Sequence, residues 1–320
     1  LRAIVDGIVS AIVDAVQGLA PGSVSLQRGE IPSDEPVGFN RALKAYNRNI
    51  DVEPVSVKNA HMAIDREMTT LRFDSDNGDP LGAISWFGVH GTSLHSDNHH
   101  IHSDNKGFAA TAFERYADEE WNATEFTAAF AQTTAGDVTP NFRWDAKRRF
   151  SVGSSDDDLE NVRQNGDIQF RQARGLFESC AAADHLAPTL RAACRYLDFA
   201  DLAADADLAH GVKGARTGRA TLGISLAMGT GDGPGPLYKA RFVTWFLNRS
   251  CALYNWVRRL FRGRTRVDAS TPQGNKFPFM QAGRGRHGRI FGLLSQARPP
   301  LPGGVDPTVA RLKALGRRDA

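Results

Sequence analysis

A histidine delivered by an apolar run into a loop of small residues is the first place where this sequence can do chemistry. Trp86-Phe87-Gly88-Val89-His90-Gly91-Thr92-Ser93 puts an imidazole at the end of a buried strand, where functional sites commonly lie. A neutral imidazole there serves as a zinc ligand or a general base, or it hydrogen-bonds its own loop and nothing more. A second apolar run, Phe126 to Thr133, leads into Ala135-Gly136-Asp137-Val138-Thr139-Pro140-Asn141. Such a loop can present the Thr139 hydroxyl with exposed backbone N–H groups, the donors that acyl transfer needs around an oxyanion. It can equally be a plain turn, since Gly, Asp, Thr, Pro and Asn are all turn residues. The third segment, Gly229-Thr230-Gly231-Asp232-Gly233-Pro234-Gly235, follows the apolar stretch Leu222 to Met228. Its spacing is not that of a dinucleotide fingerprint, no Gly-Lys-Ser/Thr follows, and Pro234 removes a donor. It reads as a loop of close approach.

Four histidines stand within His95-Ser96-Asp97-Asn98-His99-His100-Ile101-His102. That density can bind a transition metal, and a solvated loop is the plainer expectation.

The elements that must position these residues are mixed in type. Ile4, Val5, Ile8, Ile12, Val13, Val16 and Leu19 recur at helical spacing until Pro21-Gly22. Met68, Leu71 and Phe73, the turn run Asp74 to Pro80, and then Leu81, Ile84, Trp86, Phe87 and Val89 predict two strands joined by a long hairpin turn. Ser103 or Asp104 can cap a helix carrying Phe108, Ala112, Phe113 and Tyr116. Ile168, Phe170, Ala173, Leu176 and Phe177 predict another helix, and 239–262 a long one. Arg195 to Phe199 and Leu222 to Met228 look like strands. Alternation of this kind places the chain in the α/β class.

Composition excludes several partners. Among 320 residues, Lys plus Arg number 39 against 36 Asp plus Glu, with no like-charge block of the kind a nucleic-acid tail carries. No apolar run approaches the roughly 20 residues needed to cross a bilayer, so no transmembrane segment is expected. The chain opens on Leu1 and shows no signal peptide. Cys180, Cys194 and Cys251 are too scattered for a disulfide scaffold or a zinc ribbon, and are expected to be small buried hydrophobes. Val243, Trp245, Phe246, Leu253 and Trp256, ahead of Arg258, Arg259 and Arg262, suit a core helix better than a membrane-surface one.

Taken in order, these segments resemble the neutral (alkaline, non-lysosomal) ceramidases. That family carries W-F-x-V-H-x-T-S, then S-D-N-x-G, then G-D-V-S-P-N, then D-G-P-G. Here they are Trp86 to Ser93, Ser103-Asp104-Asn105-Lys106-Gly107, Gly136 to Asn141, and Asp232-Gly233-Pro234-Gly235. Val5-Asp6-Gly7-Ile8-Val9 and Asn40-Arg41, with Ala45-Tyr46, are similar to two further family segments.

The resemblance implies hydrolysis of the amide bond of ceramide to a sphingoid base and a fatty acid. It implies one Zn2+ held by two histidines, a glutamate and a tyrosine, with His90 as the second histidine. The first would lie upstream in an H-T-H-S-G-type segment. The glutamate and tyrosine would lie beyond the stretch resembled by Asp306 to Ala314. The 320 residues are thus expected to be the middle of the catalytic domain, without the family's C-terminal immunoglobulin-like domain, supplying one ligand of four and inactive alone. Thr139 stands where the family has serine, and with Arg41 and Asp137 it makes the implied catalytic set. Gly136, Asn141, Asp232 and Gly233 make the implied substrate-binding set. Thr139 and nearby N–H groups would hold the oxyanion, and Arg41 would donate beside the scissile amide. The implied partner is ceramide or a related sphingolipid at a membrane surface, met in a secreted, cell-surface or periplasmic setting. The alternatives are a ceramidase-fold protein that binds lipid or a partner without turnover, and a zinc amidase or esterase on another lipid.

Overall fold

In the structure, a computed structural model, the residues from Glu67 to Phe87 form an antiparallel hairpin because they alternate at strand period around a short polar turn. The described residues are 2–262 and 278–281, apart from 50, 96, 149, 181–183, 188, 196, 198, 200, 201, 210–212, 219, 220, 224, 225, 227, 236, 238 and 239. They fall into two units, Leu1–Arg191 with Gly231–Gly233, and Ala192–Thr230 with Pro234–Ala320. The stretch Asp306 to Ala314 lies outside the described residues.

The first unit runs α1 (Arg2–Gln17), β1 (Gly22–Glu30), β2 (Phe39–Asn40), α2 (Leu43–Tyr46), a 3-10 turn (Val57–Met62), β3 (Glu67–Ser75), β4 (Pro80–Phe87), α3 (Asp104–Trp121), β5 (Thr127–Gln132), β6 (Val138–Thr139), β7 (Arg143–Asp145), β8 (Phe150–Val152) and α4 (Asp158–Glu178). Its main sheet has the order β1-β3-β4-β5. β1, β3 and β4 are antiparallel neighbours, while β5 lies parallel to β4 after the crossover through α3. Mixed helices and strands of this kind bear out the expected α/β class.

Helices α3 and α4 cover the sheet with an aromatic cluster. Phe113 and Phe177 are fully buried, and Phe113 lies 5.1 to 6.1 Å from Phe126, Phe170, Phe177 and Trp121 by ring centroid. The helices close up where α4 presents Gly166. A Cβ at that position would sit 2.8 Å from the Asn105 carbonyl and 2.7 Å from the Phe108 ring, so only glycine fits.

One charge is built into this interior. Lys106 on α3 donates to the Phe87 carbonyl (2.8 Å) at the end of β4 and to Gln169 Oε1 (2.7 Å) on α4. Burial pushes its ammonium down to about 7. The unfolded chain, with an ordinary lysine, therefore binds more protons than the native state between about pH 7 and pH 10.5. Stability accordingly rises with pH across that window. We expect the unfolding free energy to climb by about 1 kcal/mol per pH unit between pH 7.5 and 9.5. Urea titrations of the parent and Lys106→Met at several pH values check this, and an equal slope in both proteins would refute it.

Several sequence expectations are corrected here. α1 is the helix its spacing predicts, and none of its residues is buried: Ile4, Ile8, Ile12 and Val16 face solvent in the described structure. Ser103 makes no capping hydrogen bond to α3. The first residue, Asp104, instead holds a left-handed backbone (φ 54°). Cys194 is exposed and Cys180 half-buried, so neither is a core hydrophobe. In the second unit Thr221–Gly223 pairs with the strand Pro278–Gln281, which shortens the expected strand at 222–228, and the described residues of 195–199 form no strand. The helix Arg241–Arg262 exposes Phe242, Trp245, Phe246, Leu253 and Trp256, against the expectation of a core helix. No helix among the described residues is long and apolar enough to cross a membrane.

Candidate active site

His90 lies just past the end of β4, on the connection that leads to α3. Its Nδ1 is 2.7 Å from the Val138 carbonyl, and its own backbone N–H donates to the same oxygen at 3.3 Å. A carbonyl only accepts, so Nδ1 carries the hydrogen and Nε2 is left as the lone-pair nitrogen of the neutral ring. An imidazole oriented in this way by a backbone acceptor is the arrangement typical of metal-ligating histidines.

The loop that follows His90 is pinned by the S-D-N segment. The buried Asp104 carboxylate accepts from the backbone N–H groups of Ser93 (3.1 Å), Leu94 (2.9 Å) and Asn105 (2.7 Å). Asn105 donates from Nδ2 to the His90 carbonyl (3.1 Å) and the Ser93 hydroxyl (3.2 Å). Carboxylate acceptors for loop N–H groups explain how Asp104 sustains its left-handed backbone. In the sequence this segment stands out as a helix cap and as a point of family resemblance, not as a support for His90. An Asp-Asn pair opening a helix beside a histidine-bearing loop was the available signal for a support role.

β2 and β6 bring the second loop to the first. Phe39 pairs with Thr139 and Asn40 with Val138, so Arg41 emerges next to the 136–141 loop. The Arg41 backbone N–H donates to the Asp137 carbonyl at 2.9 Å. The Thr139 hydroxyl donates to Asp232 Oδ1 (2.6 Å) and accepts from the Asn141 N–H (3.0 Å). Asn141 Nδ2 reaches both that carboxylate oxygen (3.1 Å) and the Thr92 carbonyl (2.7 Å), tying the two loops together. Arg41 Nη1 pairs with Asp232 Oδ2 (2.6 Å), and its Nη2 lies 3.4 Å from the Gly136 carbonyl.

His90, Arg41, Gly136, Thr139, Asn141 and Asp232 therefore form one connected set. Asp137 enters through its backbone carbonyl, and Gly233 follows Asp232 within the same unit. Two features differ from a simple oxyanion cradle. Thr139 is 2% exposed, and its proton is aimed at a carboxylate. In this arrangement the hydroxyl is a polarised oxygen, and the Arg41 guanidinium is the donor group left with further N–H bonds to offer.

For a metal, His90 Nε2 fits as a single ligand. Among the described residues no group of three or more His, Cys, Asp or Glu side chains is placed to hold an ion. The histidine-rich segment is not simply a solvated loop either. His95 is buried, with Nδ1 2.8 Å from Asp158, Nε2 2.8 Å from the Ser151 carbonyl, and its ring stacked 4.3 Å from Phe150. His99, His100 and His102 are exposed. His95→Ala removes the stack and leaves the Ser151 carbonyl without that donor, so it should cost about 2–4 kcal/mol in a urea titration. A loss below 0.5 kcal/mol, on the scale of ordinary surface substitutions, would put His95 back among them.

Comparison with known proteins gives one answer throughout. The profile of the family "neutral/alkaline non-lysosomal ceramidase, N-terminal" matches residues 1–288. The neutral ceramidase of Pseudomonas aeruginosa is 36% identical over 281 residues, covering 87% of this chain and 39% of that protein. Neutral ceramidase A of Dictyostelium discoideum is 33% identical over 255 residues, covering 72% and 35% respectively. Among solved structures, "Ceramidase complexed with C2" superposes with a TM-score of 0.59 at 36% identity, over 74% of this chain and 34% of that one. The chain thus spans between a third and two fifths of the length of these relatives.

Proposed function

Because the chain belongs to the neutral/alkaline non-lysosomal ceramidase family, we propose that it forms the core of a site that hydrolyses the amide bond of ceramide, releasing a sphingoid base and a free fatty acid. The observation that supports this reading is the meeting of the His90 and Thr139 segments. The His90 ring is fixed on the carbonyl of Val138, whose neighbour Thr139 is fixed on Asp232, which Arg41 neutralises. Amide cleavage needs a polarised carbonyl, an oxygen nucleophile and donors for the oxyanion. This set offers a ligand nitrogen, a hydroxyl and a guanidinium within one bonded network.

In the proposal His90 Nε2 would hold a zinc ion together with ligands from outside the described residues. Zinc, when bound, supplies polarisation of the amide carbonyl and a bound water of lowered pKa. Asp104 and Asn105 keep the His90 loop in place. Arg41, with donors beyond those given to Asp232 and Gly136, steadies negative charge developing on the amide oxygen. The 320 residues are read as part of the family's N-terminal catalytic domain, meeting sphingolipid at a membrane surface in a secreted, cell-surface or periplasmic setting.

The test is a fluorescent-ceramide assay on the gene product that carries this chain, with and without a zinc chelator. Labelled fatty acid should be released, release should stop with the chelator, and added zinc should restore it. Zinc-loaded protein that binds ceramide without cleaving it would overturn the proposal in favour of a silent binding protein.

A further inference from the structure

The acidic side chain at the hub of this network has more donors pointed at it than a substrate-binding group can use. Asp232 has a side chain 6% exposed. Its Oδ1 accepts from the Thr139 hydroxyl at 2.6 Å and from Asn141 Nδ2 at 3.1 Å, and its Oδ2 accepts from Arg41 Nη1 at 2.6 Å. A carboxylate so engaged has little left to offer a ligand. What it does instead is set directions: the Thr139 proton, the Asn141 amide and one edge of the Arg41 guanidinium are all defined by it.

We infer that Asp232 is the positioning residue of the site, acting on the reaction through Thr139 and Arg41 and not by touching the substrate. The inference rests on the ceramidase reading and extends it. It replaces the direct substrate contact that resemblance implies for this position. With its proton held by Asp232, Thr139 Oγ1 turns a lone pair, not a proton, away from the network. With one edge held, the guanidinium keeps a fixed plane, and its other donors keep a fixed aim. Asn141 extends the same control to the His90 loop through its bond to the Thr92 carbonyl.

Asp232→Asn is a sharp probe because at least three donors among the described residues face an acceptor-only group. An amide must put its NH2 either against Asn141 Nδ2, which also turns the Thr139 hydroxyl around, or against the Arg41 guanidinium. Neither choice satisfies the set. For Asp232→Asn we expect kcat on ceramide to fall about a hundredfold or more with KM within about threefold, the signature of a group that acts on the transition state. Thr139→Val should cost a similar factor in the parent and less than about threefold in the Asp232→Asn background, since both changes disable one unit. Asp232→Glu, which keeps the carboxylate, should recover part of kcat. A rise in KM with kcat retained would make Asp232 a substrate-binding residue, and losses that multiply would make it independent of Thr139. Either result overturns the inference.

Should the parent show no ceramide turnover, the ceramidase reading fails separately, and the thermal cycle decides this inference. A double variant whose Tm falls by less than the sum of the two single shifts supports the unit, and additive shifts overturn it.

Discussion

Thr139→Ala is expected to reduce kcat/KM for ceramide by about 100- to 1000-fold, the range seen when one preorganised hydrogen-bonding group is removed from a polar site. The hydroxyl is the only part of Thr139 that touches the network, through Asp232 and the Asn141 N–H. The methyl group is buried with it, at 2% exposure, and contributes packing worth about 1 kcal/mol. Thr139→Ser therefore keeps both hydrogen bonds and leaves a small void. We expect it to hold activity within tenfold of the parent, a loss below about 1.4 kcal/mol in the barrier. Thr139→Val fills the volume and deletes the oxygen, separating chemistry from packing. Steady-state kinetics on the three variants, with Tm measured alongside, check the claim. An alanine variant that turns over like the parent would reduce the 136–141 loop to a structural turn.

The parts of this architecture that were legible in the sequence are those a short window can encode. The helical period of Phe108, Phe113 and Tyr116 and that of Ile168, Phe170, Leu176 and Phe177 predicted α3 and α4, and the run Asp74 to Pro80 predicted the β3–β4 turn. A period specifies which face is apolar, not what covers it. The spacing in α1 thus predicts a helix and leaves open what its apolar face meets, and that face is exposed among the described residues. Strand signals failed where no continuous partner exists in the described structure, as around 195–199.

Much of the site depends on contacts between distant positions, which local pattern cannot reveal. Asp232 stands 93 residues from Thr139 and 191 from Arg41. Its glycine-rich surroundings said only that backbone approaches closely there. Resemblance brought these segments to notice, and the geometry adds what each side chain bonds. The Thr139 proton points to a carboxylate, and Asp104 and Asn105 brace the His90 loop while Ser103 makes no capping bond. His95 shows the same limit. His99, His100 and His102 of the same run are exposed, and only its pairing with Asp158 and Phe150, from other elements, takes His95 into the interior.

On the proposed function, replacing His90 should remove both zinc binding and ceramide turnover, and the structure distinguishes that outcome from collapse of the loop. The backbone of His90 is held independently of its ring, by its N–H on Val138 and by Asn105 on its carbonyl. His90→Ala deletes the imidazole while those bonds remain, so Tm should fall by only a few degrees. In the proposal Nε2 is one of the few protein ligands a catalytic zinc has, and its loss should weaken zinc binding at least about a hundredfold and leave less than about 1% of parental turnover. His90→Gln places an amide where the ring stood and should not restore either property, because a neutral amide is a poor zinc ligand. The support shell gives a graded companion. Asn105→Ala removes the donor to the His90 carbonyl and to Ser93 without touching the ring. It is expected to weaken zinc binding about 10-fold, within the range for groups that orient a ligand. Zinc content after dialysis against buffered free zinc reads the metal directly, and the ceramide assay reads turnover in the same samples. Stoichiometric zinc in His90→Ala, with turnover near the parent's, would show that the ring's bond to Val138 is its whole purpose and that the metal of this site, if it has one, is held elsewhere.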